Sequence, residues 1–177
     1  MSLENIISEF EKLKFPIGKF IAPDRIDTII LNSWISDLEN LPTQLKNAVT
    51  KLNEAALQKP YRPGGWTKKQ VINHIADSHS NGFIRMKLAL TEDKPIVKPY
   101  VQNLWAELED GKNTPVEVSL SIIEGVHYRW VLLLKSLSES ELDRIYIHPE
   151  YNLEYSIKAS TGNYAWHGKH HLAHILL

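Results

Sequence analysis

Four histidines lie close together near the end of the chain, at positions 167, 170, 171 and 174. If this segment is helical, with 100° of rotation per residue, the four side chains fall within about 100° of arc on one face. Residues four apart then stand one above the other, about 6 Å apart along the axis. Two imidazoles at this spacing can bind one metal ion, as they do in helical zinc motifs. The spacing predicts a metal site, but periodicity alone does not choose between His167 with His171 and His170 with His174.

An earlier segment is expected to supply the missing ligand, because it carries a polar stripe around His74. With 100° per residue, four polar side chains lie within about 60° of this histidine: Asp77, Ser78, Asn81 and Arg85. Apolar residues flank the stripe, so we expect it to line the interior of a helix bundle. Buried polar groups need partners, and a metal ion with its water and a bound ligand would provide them.

The remaining histidines carry weaker signals. His79 lies 140° from His74, on the apolar side of the same helix, and is predicted to be structural. His127 and His148 have no partner at helical spacing, and His148 is predicted to form a hydrogen bond in a loop. A single histidine on a helix is more often a hydrogen-bonded or exposed residue than a metal ligand.

The composition excludes several classes of site. The chain has no cysteine, which rules out disulfides, a thiol nucleophile, cysteine-ligated zinc and iron–sulfur clusters. A metal site must then use nitrogen and oxygen ligands, which leaves zinc, nickel, manganese, cobalt and iron(II). A formal net charge of -1 argues against a nucleic-acid partner.

Length and hydropathy predict one cytoplasmic domain over residues 1–177. Hydrophobic residues make up 43% of the chain and charged residues 23%, a balance typical of globular proteins. No apolar run approaches the roughly 20 residues of a membrane span, so we expect no membrane partner. The first residues are acidic, unlike the basic start of a secretory signal.

Two long helices are predicted in the first half of the chain. The first is expected to begin near Pro23 and to be kinked or interrupted at Pro42 before it continues to Leu52. The second begins with the Thr-x-x-Gln capping box at residues 67–70 and continues to about Leu90.

Two more helices follow a long loop over residues 91–115. Thr114 is predicted to cap the third helix, with Pro115 as its first residue, and this helix ends near residue 137. Residues 144–148 and 153–156 are predicted to pair as a small β-hairpin before the last helix. The fold class is therefore all-α, a four-helix bundle with a long loop and a small hairpin, and bundles build metal sites from facing helices.

Seven segments together resemble the YfiT family of the DinB-like superfamily, over nearly the whole chain from Phe15 to His174: residues 15–20, 61–67, 74–78, 98–100, 127–130, 148–150 and 164–171. The resemblance implies a cytoplasmic homodimer with a four-helix bundle and one divalent metal ion per chain. It also implies that the ligands are His74, His167 and His171. His170 and His174 match family positions that are not ligands. Members of the family are described as metal-dependent hydrolases, and some are bacillithiol S-transferases.

Three histidine ligands leave at least one coordination position open, as in catalytic metal sites. The preferred interpretation, by resemblance, is a bacillithiol S-transferase with zinc or nickel. The partners are then a low-molecular-weight thiol, which reacts as its thiolate, and an electrophilic small molecule.

The residues around the ligands receive predicted roles in this reaction. Asp77 is expected to orient a ligand histidine or to accept a proton. Asn81 and Arg85 are expected to face anionic groups of the cosubstrate, although a salt bridge between Arg85 and Asp77 is an equal alternative. Tyr61 and Arg62 are expected at the mouth of the site, unless they form an ordinary turn.

Two other functions stay open at this stage. A metal-dependent hydrolase would use metal-bound hydroxide, with Asp77 as the base. The chain lacks the His-Glu-x-x-His arrangement of one protease type and the Gly-x-Ser-x-Gly motif of serine hydrolases. The second alternative is a bundle that binds metal or a partner without catalysis, although a purely structural bundle gains more stability from apolar residues in the polar stripe.

Overall fold

The structure, a computed structural model, describes residues 3–150 and 153–177. These residues form nine helices and one two-stranded sheet. In chain order the elements are α1 (Leu3–Lys14), α2 (Thr28–Val49), α3 (Glu54–Leu57), α4 (Lys68–Thr91), α5 (Gln102–Trp105), α6 (Glu109–Asn113), α7 (Val116–Ser136), α8 (Glu139–Leu142), β1 (Ile145–His148), β2 (Leu153–Ser156) and α9 (Ile157–Leu176). No described helix has both the length and the apolar composition that crossing a membrane requires.

The four long helices α2, α4, α7 and α9 form the predicted bundle. Helix α2 packs against α7 and α9, and α4 packs against the same two helices. Consequently α2 and α4 occupy opposite corners, and so do α7 and α9. The connections over residues 50–67 and 137–156 therefore cross the bundle between opposite corners. Helices α4 and α9, which carry the predicted ligands, are direct neighbours.

Two groups of buried apolar side chains hold the helices together. One is built around Trp130 and Leu38, and the other around Ile72 and Ile123, and all four side chains are fully buried. Burying each such side chain stabilises the fold by roughly 1.5–3 kcal/mol. On α9, the segment with the histidines lies between Ala165 of the first group and Ile175 of the second. Core packing therefore fixes this helix on both sides of the predicted site.

Two predicted helix starts were wrong, and one was confirmed. Helix α2 begins at Thr28 rather than near Pro23, because the carboxylate of Asp27 accepts a hydrogen bond from the backbone N–H of Ile30 at 2.9 Å. Thr114 does not cap α7 but follows the end of α6, and no side chain caps α7. The capping box of residues 67–70 is present at the start of α4.

Of the two alternatives predicted at Pro42, a kink or an interruption, the interruption was wrong, because α2 is continuous from Thr28 to Val49. Proline has no N–H, so the carbonyl of Leu38, four residues earlier, lacks its usual helical donor. The imidazole of His127 on α7 replaces that donor, with Nδ1 at 2.6 Å from the Leu38 oxygen. A contact between two helices thus satisfies the carbonyl that the proline leaves open.

The small hairpin was predicted correctly. Strands β1 and β2 pair antiparallel, with Ile145 opposite Ser156 and His148 opposite Leu153. Residues 149 and 150 form part of the turn, and the other two turn residues lie outside the described residues. The long loop over residues 91–115 contains the short helices α5 and α6, and α1 had not been predicted.

Candidate metal centre

Helices α4 and α9 bring the three predicted ligands together. His74, His167 and His171 each offer one ring nitrogen, and these nitrogens lie within 4.8 Å of one another. Nε2 of His74 is 3.2 Å from Nε2 of His167. Two nitrogens bound to one zinc ion at about 2.0–2.1 Å in tetrahedral geometry lie roughly 3.3 Å apart. The three side chains therefore fit one divalent ion.

A second triad on α9 meets the same distance criterion. His170, His171 and His174 also place their nitrogens within 4.8 Å of one another, so that His171 belongs to both triads. In this triad Nε2 of His174 is 3.3 Å from the backbone oxygen of Lys14, and Nδ1 of His174 is 3.2 Å from Nδ1 of His171. The ring of His170 stacks on Trp166. Of the two triads, the one with His74 is favoured because it draws its ligands from two facing helices, as metal sites in helix bundles do.

Burial keeps the ligand histidines neutral. Desolvation lowers the pKa of His74 from 6.5 to about 4. The pKa values of His167 and His171 also lie well below the ordinary value, because of burial first and then the neighbouring imidazoles. Neutral imidazole is the form that binds a metal ion, so all three side chains can bind at neutral pH.

Acid is expected to destabilise the metal-free protein. The folded-state pKa of both His74 and His127 is about 4, against 6.5 as the ordinary value. Between these values the unfolded chain binds more protons than the folded chain, so stability is lost as the pH falls. At pH 5.5 we expect each of the two to contribute a loss of roughly 1 kcal/mol relative to pH 7.5.

Urea unfolding of chelator-treated protein at pH 7.5 and pH 5.5 measures this loss. In a His127→Phe variant the pH dependence should be smaller, because one of the buried histidines is gone. Equal free energies of unfolding at the two pH values would contradict the expectation.

Two cavities meet at His167. One, of about 670 Å³, contains the three ligands and is also lined by Tyr61, Arg62, Trp66 and Gln70. The other, of about 430 Å³, is lined by Arg85 and four tyrosines, Tyr100, Tyr146, Tyr155 and Tyr164. Both cavities include His167, Gln102 and Asn103 in their walls. The ligand histidines are therefore accessible to small molecules.

Tyr61 and Arg62, which were predicted at the mouth of the site, line the cavity that the three ligand histidines also line. The ring of Tyr61 stacks on His174, with 4.0 Å between the ring centroids. Nε of Arg62 donates a hydrogen bond to the hydroxyl of Tyr61 at 3.1 Å. These contacts place both side chains beside the histidine cluster.

Arg85 is buried without a carboxylate partner among the described residues. Its guanidinium donates to the backbone oxygen of Lys98 at 3.0 Å and to the hydroxyl of Tyr164 at 3.4 Å. The alternative salt bridge to Asp77 does not form in the part of the chain that the structure describes. Because a guanidinium has five N–H donors and buried charges are normally paired, Arg85 can still bind an anion.

Asp77 and Asn81 line neither of these two cavities. The side chain of Asn81 donates to the backbone oxygen of Asp77 at 2.9 Å. Partial burial, and then the nearby Asp110, raise the pKa of Asp77 above its ordinary value. The partners of the two α9 ligands are imidazoles rather than this carboxylate: His167 contacts His79 and His171 contacts His174.

The sequence analysis did not identify several residues of the site. Trp66 packs on His74, with 4.7 Å between ring centroids. His79 and His127, which lie on apolar helix faces, contact each other through Nδ1 and Nε2 at 2.8 Å. The sequence did indicate that His79 and His127 need such partners, because a histidine on an apolar helix face must find a polar partner inside the protein.

Comparisons with known proteins find relatives over nearly the whole chain. The family model of the DinB superfamily matches residues 37–175. A protein of Oceanobacillus iheyensis, named "Putative metal-dependent hydrolase", is 53% identical over 162 residues, which cover 92% of this chain and 93% of that protein. A Bacillus mycoides protein with the same description is 47% identical over 163 residues, with the same coverage.

A solved structure shows the same fold. YfiT from Bacillus subtilis is described as "a probable metal-dependent hydrolase with an unusual four-helix bundle topology". It matches with a TM-score of 0.91 and 39% sequence identity, over 93% of this chain and 94% of that chain. The unusual topology named there is consistent with the connections that cross this bundle between opposite corners.

Proposed function

The chain belongs to the DinB superfamily, and we propose that it is a divalent-metal-dependent enzyme that transfers a low-molecular-weight thiol to an electrophilic small molecule. Bacillithiol is the candidate thiol, on the basis of the resemblance described above. The observation that carries the proposal is that three neutral histidines line one cavity and that one of them, His167, also lines a second cavity. Two adjoining spaces leave room for two organic substrates, as transfer needs, whereas hydrolysis needs room for one substrate and water.

His74, His167 and His171 would hold one zinc or nickel ion per chain. When bound, such an ion supplies Lewis acidity and lowers the pKa of a thiol or water that reaches its open position. The protein has no cysteine, so the reacting thiol has to come from the cosubstrate. Aromatic rings packed around the ligands, such as Trp66 on His74, restrict water near them.

The cosubstrate is expected to place a carboxylate against Arg85. The second cavity offers this buried cation together with tyrosine hydroxyls. A planar guanidinium binds a carboxylate through two parallel hydrogen bonds. Tyr61 and Arg62 would contact the part of the substrates that lies in the first cavity. Asp77, whose raised pKa favours proton uptake, lines neither cavity and would therefore accept the thiol proton through a bridging water, while the side chain of Asn81 donates to its backbone oxygen.

The second candidate is a metal-dependent hydrolase, which the names of the relatives favour. In that case the same three histidines would hold the ion, and Asp77, which lines neither cavity, would accept a proton from the attacking water through a second, bridging water. The site residues are identical in the two proposals, so only a reaction distinguishes them.

The test compares the two reactions in zinc- or nickel-loaded protein. We expect a conjugate between bacillithiol and a fluorogenic bimane electrophile, formed faster than without protein and lost in chelator-treated protein. Turnover of p-nitrophenyl acetate without any thiol, together with no conjugate, would overturn the transfer proposal in favour of hydrolysis. A known bacillithiol transferase under the same conditions controls for the reagents.

In the same assay, Arg85→Met should raise the KM for the thiol by roughly 10- to 100-fold, because a hydrogen bond to a charged group contributes about 1.5–3 kcal/mol. The KM for the electrophile should change less than the KM for the thiol. Arg129→Met is the matched control, since Arg129 is exposed and lies over the ring of Phe83. An unchanged KM in Arg85→Met would remove this residue from the substrate site.

A homodimer is also proposed. The outer face of α7 exposes Val118, Ile122 and Leu132, with exposed fractions of 49%, 45% and 63%. These residues lie along one stripe of the helix, and such a patch favours association. Light scattering should give twice the chain mass of 20.3 kDa, and a value equal to one chain would contradict the dimer.

A further inference from the structure

A row of hydrogen-bonded imidazoles connects α2 to the metal centre. It begins at the backbone oxygen of Leu38, which is 2.6 Å from Nδ1 of His127. Nε2 of His127 is 2.8 Å from Nδ1 of His79, and Nε2 of His79 is 3.0 Å from Nδ1 of His167. This row, from Leu38 to His167, is called the first imidazole chain below.

The direction of each hydrogen bond in the first imidazole chain follows from its two ends. A carbonyl oxygen can only accept, so Nδ1 of His127 carries a proton. At the other end, Nε2 of His167 can bind a metal ion only through its lone pair, so the proton of this neutral ring is on Nδ1. Two N–H groups cannot face each other at hydrogen-bonding distance. His79 therefore accepts from His167 at Nε2 and donates to His127 from Nδ1.

A second imidazole chain reaches the other ligand on α9. The backbone oxygen of Lys14, at the end of α1, is 3.3 Å from Nε2 of His174. Nδ1 of His174 is 3.2 Å from Nδ1 of His171. By the same reasoning, His174 donates from Nε2 and accepts at Nδ1, and His171 carries its proton on Nδ1. The lone pair of His171 is then on Nε2.

We propose that His79, His127 and His174 are positioning residues that set the tautomers of the two α9 ligands, so that Nε2 of His167 and Nε2 of His171 are both free to bind the ion. The proposal rests on the metal site of the proposed function but not on the reaction catalysed there. Which ring nitrogen of a ligand histidine is protonated depends on the hydrogen bond that the other nitrogen makes. Such outer partners orient the ring and strengthen binding, a role that carboxylates or carbonyls usually fill.

Pro42 gives the first imidazole chain its fixed end. A proline inside a helix costs roughly 3 kcal/mol or more, and it leaves one carbonyl without a donor. Here that carbonyl belongs to Leu38, and His127 uses it. The helical hydrogen bond that Pro42 removes is thus replaced by one that determines the orientation of a buried imidazole.

The second imidazole chain also assigns a role to the alternative triad on α9. His170, His171 and His174 lie as close together as the proposed ligands. Because His174 accepts from His171 in this arrangement, it acts as an outer partner of the ion rather than a ligand of a second ion. Zinc titration should therefore give one site per chain.

The test uses paired substitutions that differ only in whether an acceptor remains. In His79→Gln, the amide oxygen can take the place of Nε2 and accept from Nδ1–H of His167, whereas His79→Leu offers no acceptor. We expect zinc affinity, measured by competition with a chromophoric chelator, to fall about 10- to 100-fold in His79→Leu. The zinc affinity of the His79→Gln variant should stay within about threefold of the wild-type value, since the acceptor for His167 is retained. His170→Gln is the control, because this buried histidine of α9 belongs to neither chain.

A second measurement reads the tautomer itself. Imidazole ¹⁵N NMR of metal-free protein should show His167 protonated at Nδ1 in wild type and His79→Gln, and at Nε2 in His79→Leu. A purely structural role of His79 would not move this signal. The second imidazole chain is tested by an equivalent pair. In His174→Asn the amide oxygen can replace Nδ1 as the acceptor for His171, whereas His174→Leu offers no acceptor.

Three results would overturn the proposal. One is wild-type zinc affinity in a folded His79→Leu variant. Another is an Nε2-protonated His167 in the wild-type protein. The third is two zinc ions per chain. If His79→Leu does not fold, the zinc affinities of His174→Asn and His174→Leu provide the test instead. A protein that binds zinc with these effects but forms no thiol conjugate would refute the proposed function and leave the imidazole chains standing.

Discussion

His171→Ala is expected to leave the protein without bound metal. The variant removes one of three nitrogens that lie within 4.8 Å of one another and leaves only His74 and His167. The binding free energy of a four-ligand zinc site is about 10–16 kcal/mol, so each ligand contributes roughly 3 kcal/mol. Loss of one ligand should therefore lower the zinc affinity by about a hundredfold or more. Mass spectrometry of the metal content of purified protein should give one divalent ion per wild-type chain and none in the variant.

His170→Ala is the control that makes this result specific. His170 is adjacent in sequence, lies on the same helix and is also buried, but it belongs only to the alternative triad. We expect it to retain one ion per chain. Loss of metal in His170→Ala and its retention in His171→Ala would refute the site. An ion-free wild type, even after incubation with zinc or nickel, would refute the metal site and support a bundle that binds a partner without catalysis.

The second large effect is expected at Gly82 of α4, whose backbone lies against Tyr164 of α9 and Trp130 of α7. A Cβ atom at this position would lie 2.4 Å from Cζ of Tyr164 and 2.7 Å from Cη2 of Trp130. Both rings are buried, so neither can move aside without disturbing the core. We expect Gly82→Ala to reduce the free energy of unfolding by about 1–3 kcal/mol, although alanine favours the helix by about 1 kcal/mol. Urea unfolding measures the change.

The same substitution at Gly125 separates packing from helix propensity. Gly125 lies inside α7, and a Cβ there would meet no atom within 4 Å. Gly125→Ala should therefore raise the free energy of unfolding by about 0.5–1 kcal/mol. Stabilisation by both variants would show that the contact at Gly82 is easily relieved. Because Gly82 lies between His79 and Arg85 on α4, we also expect Gly82→Ala to weaken zinc binding.

Local patterns were sufficient for much of the fold. The period of apolar residues and the capping box of residues 67–70 identified α4 and its start. The alternation and turn residues near position 149 predicted the hairpin. Predictions that depended on a single residue type were less reliable. At Pro42 the helix continues because His127, which is distant in sequence, binds the carbonyl that the proline leaves open. Thr114 ends the short helix α6 instead of capping α7.

The sequence by itself determined that two imidazoles on α9 stand together, because residues four apart share a helix face wherever the helix lies. It also placed His74 on a polar stripe that had to be buried. Only the tertiary structure decided which pair on α9 meets His74, a residue 93 positions away from His167. It also decided that His79, His127 and His174 support the ligands. Contacts between helices depend on which corners of the bundle they occupy, and no local period encodes that arrangement.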